Sequence, residues 1–257
     1  MNSLLLTKLS FTLEFTPDAE LLRFIGNTIR GALGRSLDGI HNDVYDDVFT
    51  VESNESTPNP FVISVPYPGK GEYNAGETLE FYITLFGTVY AYEAEIMDAA
   101  RYMCNGKLAG TVLVTAQQEY SREWSDANAD SIPFCDALTL SFVTPTELIS
   151  SKQPVYEPDF PVLIDSLFGR ISAIIDNYGE GEFIIPYSLI TKKPQIVAKY
   201  DCEHIYINSN SHPINSFIGN ISYFGDVTRY LPYIDLGSQL PLGKKTTRSY
   251  GEYTFYI

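Results

Sequence analysis

Phe11-Thr12-Leu13-Glu14-Phe15-Thr16-Pro17 decides how this chain is read, because it returns as Leu138-Thr139-Leu140-Ser141-Phe142, followed one residue later by Thr144-Pro145. Both copies alternate like a half-buried strand, stop at Thr-Pro and feed an apolar stretch of helical period. A second mark, Phe86-Gly87-Thr88-Val89 with Tyr92, recurs as Phe224-Gly225-Asp226-Val227 with Tyr230. Each copy follows an alternating segment: Leu79, Phe81, Ile83 and Leu85 in the first, Phe217, Gly219, Ile221 and Tyr223 in the second. A third mark is Gly106-Lys107 against Gly243-Lys244, each ahead of a last strand, 111–115 and 253–257. Three marks in one order describe a duplication.

Each half then reads strand, helix, strand, strand, helix, strand, the split βαβ pattern of ferredoxin-like and RRM-like folds. The first helix of half one is expected over 19–37, with Leu22, Ile25, Ile29 and Leu33 on one face, and its counterpart over 160–178, with Leu163, Leu167, Ile171 and Ile175. The second helices are expected over 92–103 and 229–236. The fold class is α+β, a tandem ferredoxin-like (βαββαβ) duplication, with units at 1–130 and 131–257. A polar linker is expected around 119–136, an acidic insertion at about 41–60, and a hairpin over 192–211.

The 257 residues, 44% hydrophobic and 19% charged, supply a real core and exclude a mostly disordered chain. Three separated cysteines, Cys104, Cys135 and Cys202, form neither a disulfide framework nor a structural zinc site. No targeting signal and no long apolar run is apparent, so a cytoplasmic protein without a membrane partner is expected. The net charge of -15 requires any nucleic-acid site to be a local basic patch. Residues 41–60 hold five acids and no Lys or Arg, whereas 192–248 hold seven bases and four acids.

Residues 217–253, FIGNISYFGDVTRYLPYIDLGSQLPLGKKTTRSYGEY, resemble the closing segment of CRISPR repeat-RNA processing endoribonucleases of the RAMP superfamily. Gly219, Gly225, Leu231-Pro232, Gly237, Gly243-Lys244, Thr246-Thr247, Gly251 and Tyr253 carry that likeness. Ile25-Gly26-Asn27-Thr28-Ile29-Arg30-Gly31-Ala32-Leu33-Gly34 is similar to the family's first helix, and Ala75–Phe81 through Leu85-Phe86-Gly87 to its middle strand. The closing loop departs from the pattern, with Lys245, Arg248 and Tyr250 partly replacing glycines and Pro241 where relatives often carry histidine.

The resemblance implies two ferredoxin-like units, repeat or guide RNA as partner, possible further CRISPR complex subunits, and RNA cleavage without metal or other cofactor. In that chemistry the 2′-hydroxyl attacks the neighbouring phosphate, which needs a proton acceptor, a proton donor and a cation for the developing charge. Histidine is the natural acid or base, and the chain has His41, His204 and His212. His41, just past the first helix where cutting relatives keep a histidine, is the catalytic candidate; it also reads as a loop histidine beside acids. Tyr45 is a candidate donor to phosphate. His204 reads as a strand residue and His212 as a turn residue, while Tyr200 and Tyr206 could stack on bases. Gly243, Lys244, Lys245, Thr246, Thr247 and Arg248 are the expected phosphate cradle, and Arg30 and Arg35 are candidate RNA contacts on the first helix. The competing expectation is a catalytically silent RAMP module that holds RNA or assembles into a CRISPR complex, which the eroded loop and the negative charge suit.

Overall fold

Ser3–Phe15 (β1) alternates buried and half-buried side chains along most of its length and lies at the centre of a four-stranded sheet. The structure is a computed structural model. It describes residues 2–50, 57–106, 108–125, 133–181, 183–184, 189, 195–207 and 213–257. In chain order there follow Gly26–Ile40 (α1), Asn42–Phe49 (α2), Phe61–Ser64 (β2), Thr78–Phe86 (β3), Glu93–Tyr102 (α3) and Thr111–Ser125 (β4). The sheet order β2-β3-β1-β4 places the two outer strands around a β3–β1 centre, as a split βαβ unit requires. The second half repeats it with Ala137–Thr146 (β5), Phe160–Tyr178 (α4), Val197–Ile207 (β6), Ile214–Phe224 (β7), Leu231–Gln239 (α5) and Tyr253–Tyr256 (β8), in the order β6-β7-β5-β8. The fold is therefore the tandem ferredoxin-like α+β duplication.

The repeated glycines mark the same joint twice. Gly87 and Gly225 both take positive φ (61° and 139°) where a strand hands over to a helical turn. At Gly87 a Cβ would lie 1.9 Å from the Tyr178 carbonyl oxygen, so the first half's turn is also a docking point for the end of α4.

Several expected boundaries shift for identifiable reasons. The first helix starts at Gly26 rather than near residue 19, because Ala19 and Glu20 pair with Tyr73 and Glu72 in a short ladder and the Arg23 carbonyl accepts from Gly69 N–H. Leu22 consequently lies outside the helix and is 72% exposed, while Ile25, Ile29 and Leu33 are buried as expected. The acidic stretch is not merely an insertion. Its Val44 and Val48, four residues apart, are buried, and α2 folds back on α1. Glu52 and Glu55 lie outside the described residues. β4 runs through the start of the expected linker to Ser125. β5 continues through Thr144-Pro145 to Thr146, so Thr-Pro stops the strand only in the first copy. The region read as a self-contained hairpin supplies one strand, β6, paired with β7 over its whole length. Lys192, Lys193 and His212 lie outside the described residues.

The two halves share a core. Leu4, Leu6, Val62, Phe86 and Trp124 of the first half pack with α4 and α5 of the second. Trp124 and Tyr233 meet at 6.2 Å between ring centres, and Tyr120 Oη donates to the Gln239 side-chain oxygen at 2.5 Å. Part of the first sheet's outer face, the one away from its own helices, is thereby covered by the second half, and each large side chain buried there stabilises the pairing by about 1.5–3 kcal/mol.

Candidate functional site

The closing loop does not hang in solvent. It is clamped between the first helices of the two halves, and its two threonines are the clamp points. Arg30 Nε on α1 donates to Thr247 Oγ1 at 3.2 Å, and Arg170 on α4 donates from NH2 to Thr246 Oγ1 at 2.8 Å and from Nε to the Leu240 carbonyl at 3.1 Å. Thr246 and Thr247 are buried. Burial pulls the Arg170 guanidinium down to about 10, with Tyr178 opposing that shift. Arg170 is missed in the sequence reading. The available signal is one arginine interrupting the apolar run Ile164-Asp165-Ser166-Leu167-Phe168-Gly169-Arg170-Ile171.

The loop's path is set by close backbone approaches. A Cβ on Gly26 would lie 2.2 Å from the Arg248 carbonyl oxygen, so only glycine lets α1 begin there. Gly243, at φ 88°, would place a Cβ 2.5 Å from the Glu147 carbonyl oxygen, which accepts from Lys244 N–H. Lys245 and Ser249 both occupy left-handed backbone (φ 62° and 64°) without being glycine. Each has a compensating bond: Lys245 Nζ lies 3.4 Å from the buried Glu147 carboxylate, and Ser249 Oγ accepts from Val65 N–H and donates to Glu252 Oε1. Tyr250 fills space that glycine would leave open. It is fully buried, edge-on to Phe24 at 4.4 Å, and Phe24 in turn meets Tyr67. Burial drives the Tyr250 phenol well above its ordinary range.

The candidate residues separate into three places. The first joins Arg30, Thr247, Arg248 and Tyr45. Burial, then the Arg248 cation, pushes the Arg30 guanidinium down, and Tyr45 offsets this. The Arg30 guanidinium also lies 5.4 Å from the Phe49 ring centre, and Phe49 stacks on Tyr45 at 5.7 Å. Lys244 is exposed and Arg248 half-exposed. Among the described residues, Arg30, Lys244 and Arg248 have no carboxylate within ion-pair distance, whereas Lys245 is engaged by Glu147. Three uncompensated cations with a phenol alongside are what a polyanion backbone requires of an acidic protein.

The second place is the far end of α1. His41 joins α1 to α2, its side chain 29% exposed, with Nε2 3.9 Å from Asp98 Oδ2 on α3. Asp98 also pairs with Arg101 at 2.7 Å. Eleven helical residues at ~1.5 Å rise set His41 about 16 Å from Arg30 along the axis. The third place is the shallow pocket by Tyr102, Met103 and Asn105 that Arg35 lines, on another face of α1 from Arg30. The structure therefore does not bring Arg35 to the closing loop. His204 stacks on Tyr156 at 4.3 Å, Tyr200 is half-buried and Tyr206 is 64% exposed. No group of three or more His, Cys, Asp or Glu suited to a metal occurs among the described residues, and no helix among them is long and apolar enough to cross a membrane.

Residues 140–253 match the family of CRISPR-associated endoribonuclease Cas6, and residues 4–119 match the AF_1859_N family, an N-terminal domain. No curated protein matches the chain in sequence. Among solved structures, Thermus thermophilus Cas6 superposes with a TM-score of 0.67 at 13% identity over 98% of this chain and 99% of its own. A partial Cas6-RT-Cas1–Cas2 complex gives 0.69 at 14% identity, covering 98% of this chain and 46% of that one. A RAMP protein binding different RNA substrates gives 0.54 at 12% identity, covering 98% and 100%. Two ferredoxin-like units closed by a clamped Gly-Lys-Lys-Thr loop make up the fold that the chain shares with these structures. The match to the Cas6 endoribonuclease family thus lies in the second half of the chain, while the likeness in fold extends over both halves.

Proposed function

We propose that this chain binds the repeat RNA of CRISPR precursor transcripts and cuts it within the repeat, by attack of a 2′-hydroxyl and without a metal ion. The Arg30–Thr247 contact carries the reading. It fixes the cationic patch of the closing loop to the first helix, whose other end presents His41. A single phosphate cannot touch both ends of α1. The RNA therefore runs along the helix, with a flanking phosphate held by Arg30, Arg248 and Lys244 and the scissile phosphate beside His41.

At the scissile phosphate the O2′–P bond forms as the P–O5′ bond breaks. The 2′-hydroxyl gives its proton to a solvent water molecule, and the departing 5′-oxygen gains one from the protonated His41, held towards Asp98. The products are a 2′,3′-cyclic phosphate and a 5′-hydroxyl. In this reading Tyr45, on α2 and stacked on Phe49, donates to a phosphate oxygen between the two ends. The negative net charge favours docking on a partner protein away from the cationic patch, as a subunit of a larger CRISPR assembly.

The test is a gel assay of the host's repeat RNA in EDTA, with wild type, His41→Ala and Arg30→Ala. One cut ending in a cyclic phosphate, lost in His41→Ala and weakened through affinity in Arg30→Ala, is expected. A cut that survives His41→Ala removes that residue from the mechanism. A bound but intact RNA makes the chain a silent module, and dependence on an added divalent ion overturns the metal-free route.

A further inference from the structure

A cavity of about 430 Å³ opens where the outer face of the first sheet passes beneath the end of the second half. Its floor is Lys8, Tyr82 and Ser64. The strand register puts Ser10 and Ser64 opposite Tyr82, and Lys8 opposite Thr84, all on the face away from α1 and α3. Its wall is Glu252 and Phe255, with Gln239 from the end of α5. The volume lies within the ~300–1,000 Å³ typical of ligand pockets.

Glu252 is the group with the most specific chemistry there, and it is held in place. Its backbone N–H donates to Thr144 Oγ1 at 2.9 Å, its carbonyl accepts from Val143 N–H at 2.9 Å, and its Oε1 accepts from Ser249 Oγ at 2.6 Å. A carboxylate accepts only, and each oxygen has two lone-pair sites, so this one retains capacity towards the cavity. The Lys8 ammonium sits 4.3 Å from the Tyr82 ring centre, placing a cation next to an aromatic wall.

We propose that this cavity holds one unpaired guanine of the bound RNA, with Glu252 accepting from the base's N1–H and N2–H, Tyr82 and Phe255 flanking the ring, and Lys8 meeting the adjoining phosphate. The assignment rests on the RNA-binding reading above and adds a base-reading position distant from the closing-loop cations. Guanine is the base whose pairing edge presents two adjacent donors, matching a carboxylate's two oxygens. Adenine and cytosine set a ring-nitrogen acceptor beside their amino group, and uracil sets carbonyls on both sides of its one N–H, so each opposes the carboxylate with a lone pair. Single-stranded RNA is read in this way, by base edges and stacking on aromatic side chains.

The test measures fluorescence anisotropy of short oligouridines carrying one central guanosine, inosine or adenosine. Wild type is expected to bind the guanosine strand about tenfold more tightly than the all-uridine strand, the discrimination of one bidentate base contact. Inosine, which lacks the 2-amino group, is expected to lose most of that gain. Glu252→Gln is expected to lose the preference for guanosine over uridine. Equal binding of all strands by wild type, or a preference that survives Glu252→Gln, overturns the assignment. Should that variant not fold, the guanosine-against-inosine comparison on wild type decides, and equal affinities overturn it. A chain that binds neither these strands nor repeat RNA overturns the RNA reading itself. A chain that cuts repeat RNA yet shows no guanosine preference overturns only the cavity's assignment.

Discussion

Arg30 and Thr247, 217 positions apart, meet at 3.2 Å and connect the first helix of one half to the last loop of the other. If the cation at that junction holds a flanking phosphate, removing it should weaken RNA binding without removing the cutting step. Arg30→Ala is expected to lower repeat-RNA affinity about tenfold and to reduce the salt dependence of binding by about one phosphate contact. Arg35→Ala, on another face of α1, should change affinity far less. Filter binding across a salt series distinguishes the two.

Gly26 provides a structural test of the same junction. The Arg248 carbonyl lies where an alanine methyl would go, and that obstacle is backbone rather than a movable side-chain end. Gly26→Ala must therefore push the closing loop and α1 apart. A loss of about 1–3 kcal/mol in unfolding free energy is expected, together with weaker RNA binding of the folded protein. Gly31→Ala, whose Cβ would meet only the Arg35 guanidinium at ordinary contact distance, should be nearly neutral in both measurements.

Much of the architecture is legible in local pattern, because the strand and helix periods and the repeated Phe-Gly-x-Val joint are local. The helix Phe160–Tyr178 matches its expected span, helped by Asp159, whose carboxylate caps Val162 N–H. Leu22 fits the helical period as well as Ile29 does, yet the preceding residues are captured by the ladder to Glu72 and Tyr73. That capture is a tertiary event with no local signature. The site shows the same division. The loop's basic and hydroxyl residues are visible as a motif, but their duties are not: Lys245 serves Glu147, the threonines anchor two arginines, and Arg248 offers its side chain while its carbonyl packs on Gly26. Glu252 carries no motif at all, and its position at the cavity wall follows from how the two halves pack.

Glu252 should leave a trace in the pH dependence of stability. Burial pushes its carboxyl up to about 7, against the opposing pull of Ser249, Ser64 and Lys8. A carboxyl with a raised folded pKa favours the native state while protonated. Its contribution is complete below the unfolded value of 4.5 and is lost as pH rises through about 7. Stability from this group thus falls between those two pH values. Glu252→Gln, which keeps an oxygen for Ser249 and removes the charge, should flatten that slope. At pH ~8 the variant should be more stable by on the order of 1 kcal/mol, which urea titrations at several pH values would resolve.

Arg170 supplies the last test, because it separates holding the loop from touching RNA. Its guanidinium is enclosed and makes two hydrogen bonds to the loop, to the Leu240 carbonyl and to the Thr246 hydroxyl. Arg170→Ala leaves an enclosed carbonyl and hydroxyl without their donors, each costing about 1–3 kcal/mol. The expected result is a lower thermal midpoint together with a loop that protease or hydrogen exchange reaches faster around residues 240–248. Arg170→Lys restores the positive charge but not the two-pronged geometry, so it should recover only part of the stability. If charge alone mattered, through attraction of RNA, the lysine variant would instead match wild type in affinity and in midpoint, and the clamp reading of Arg170 would fail.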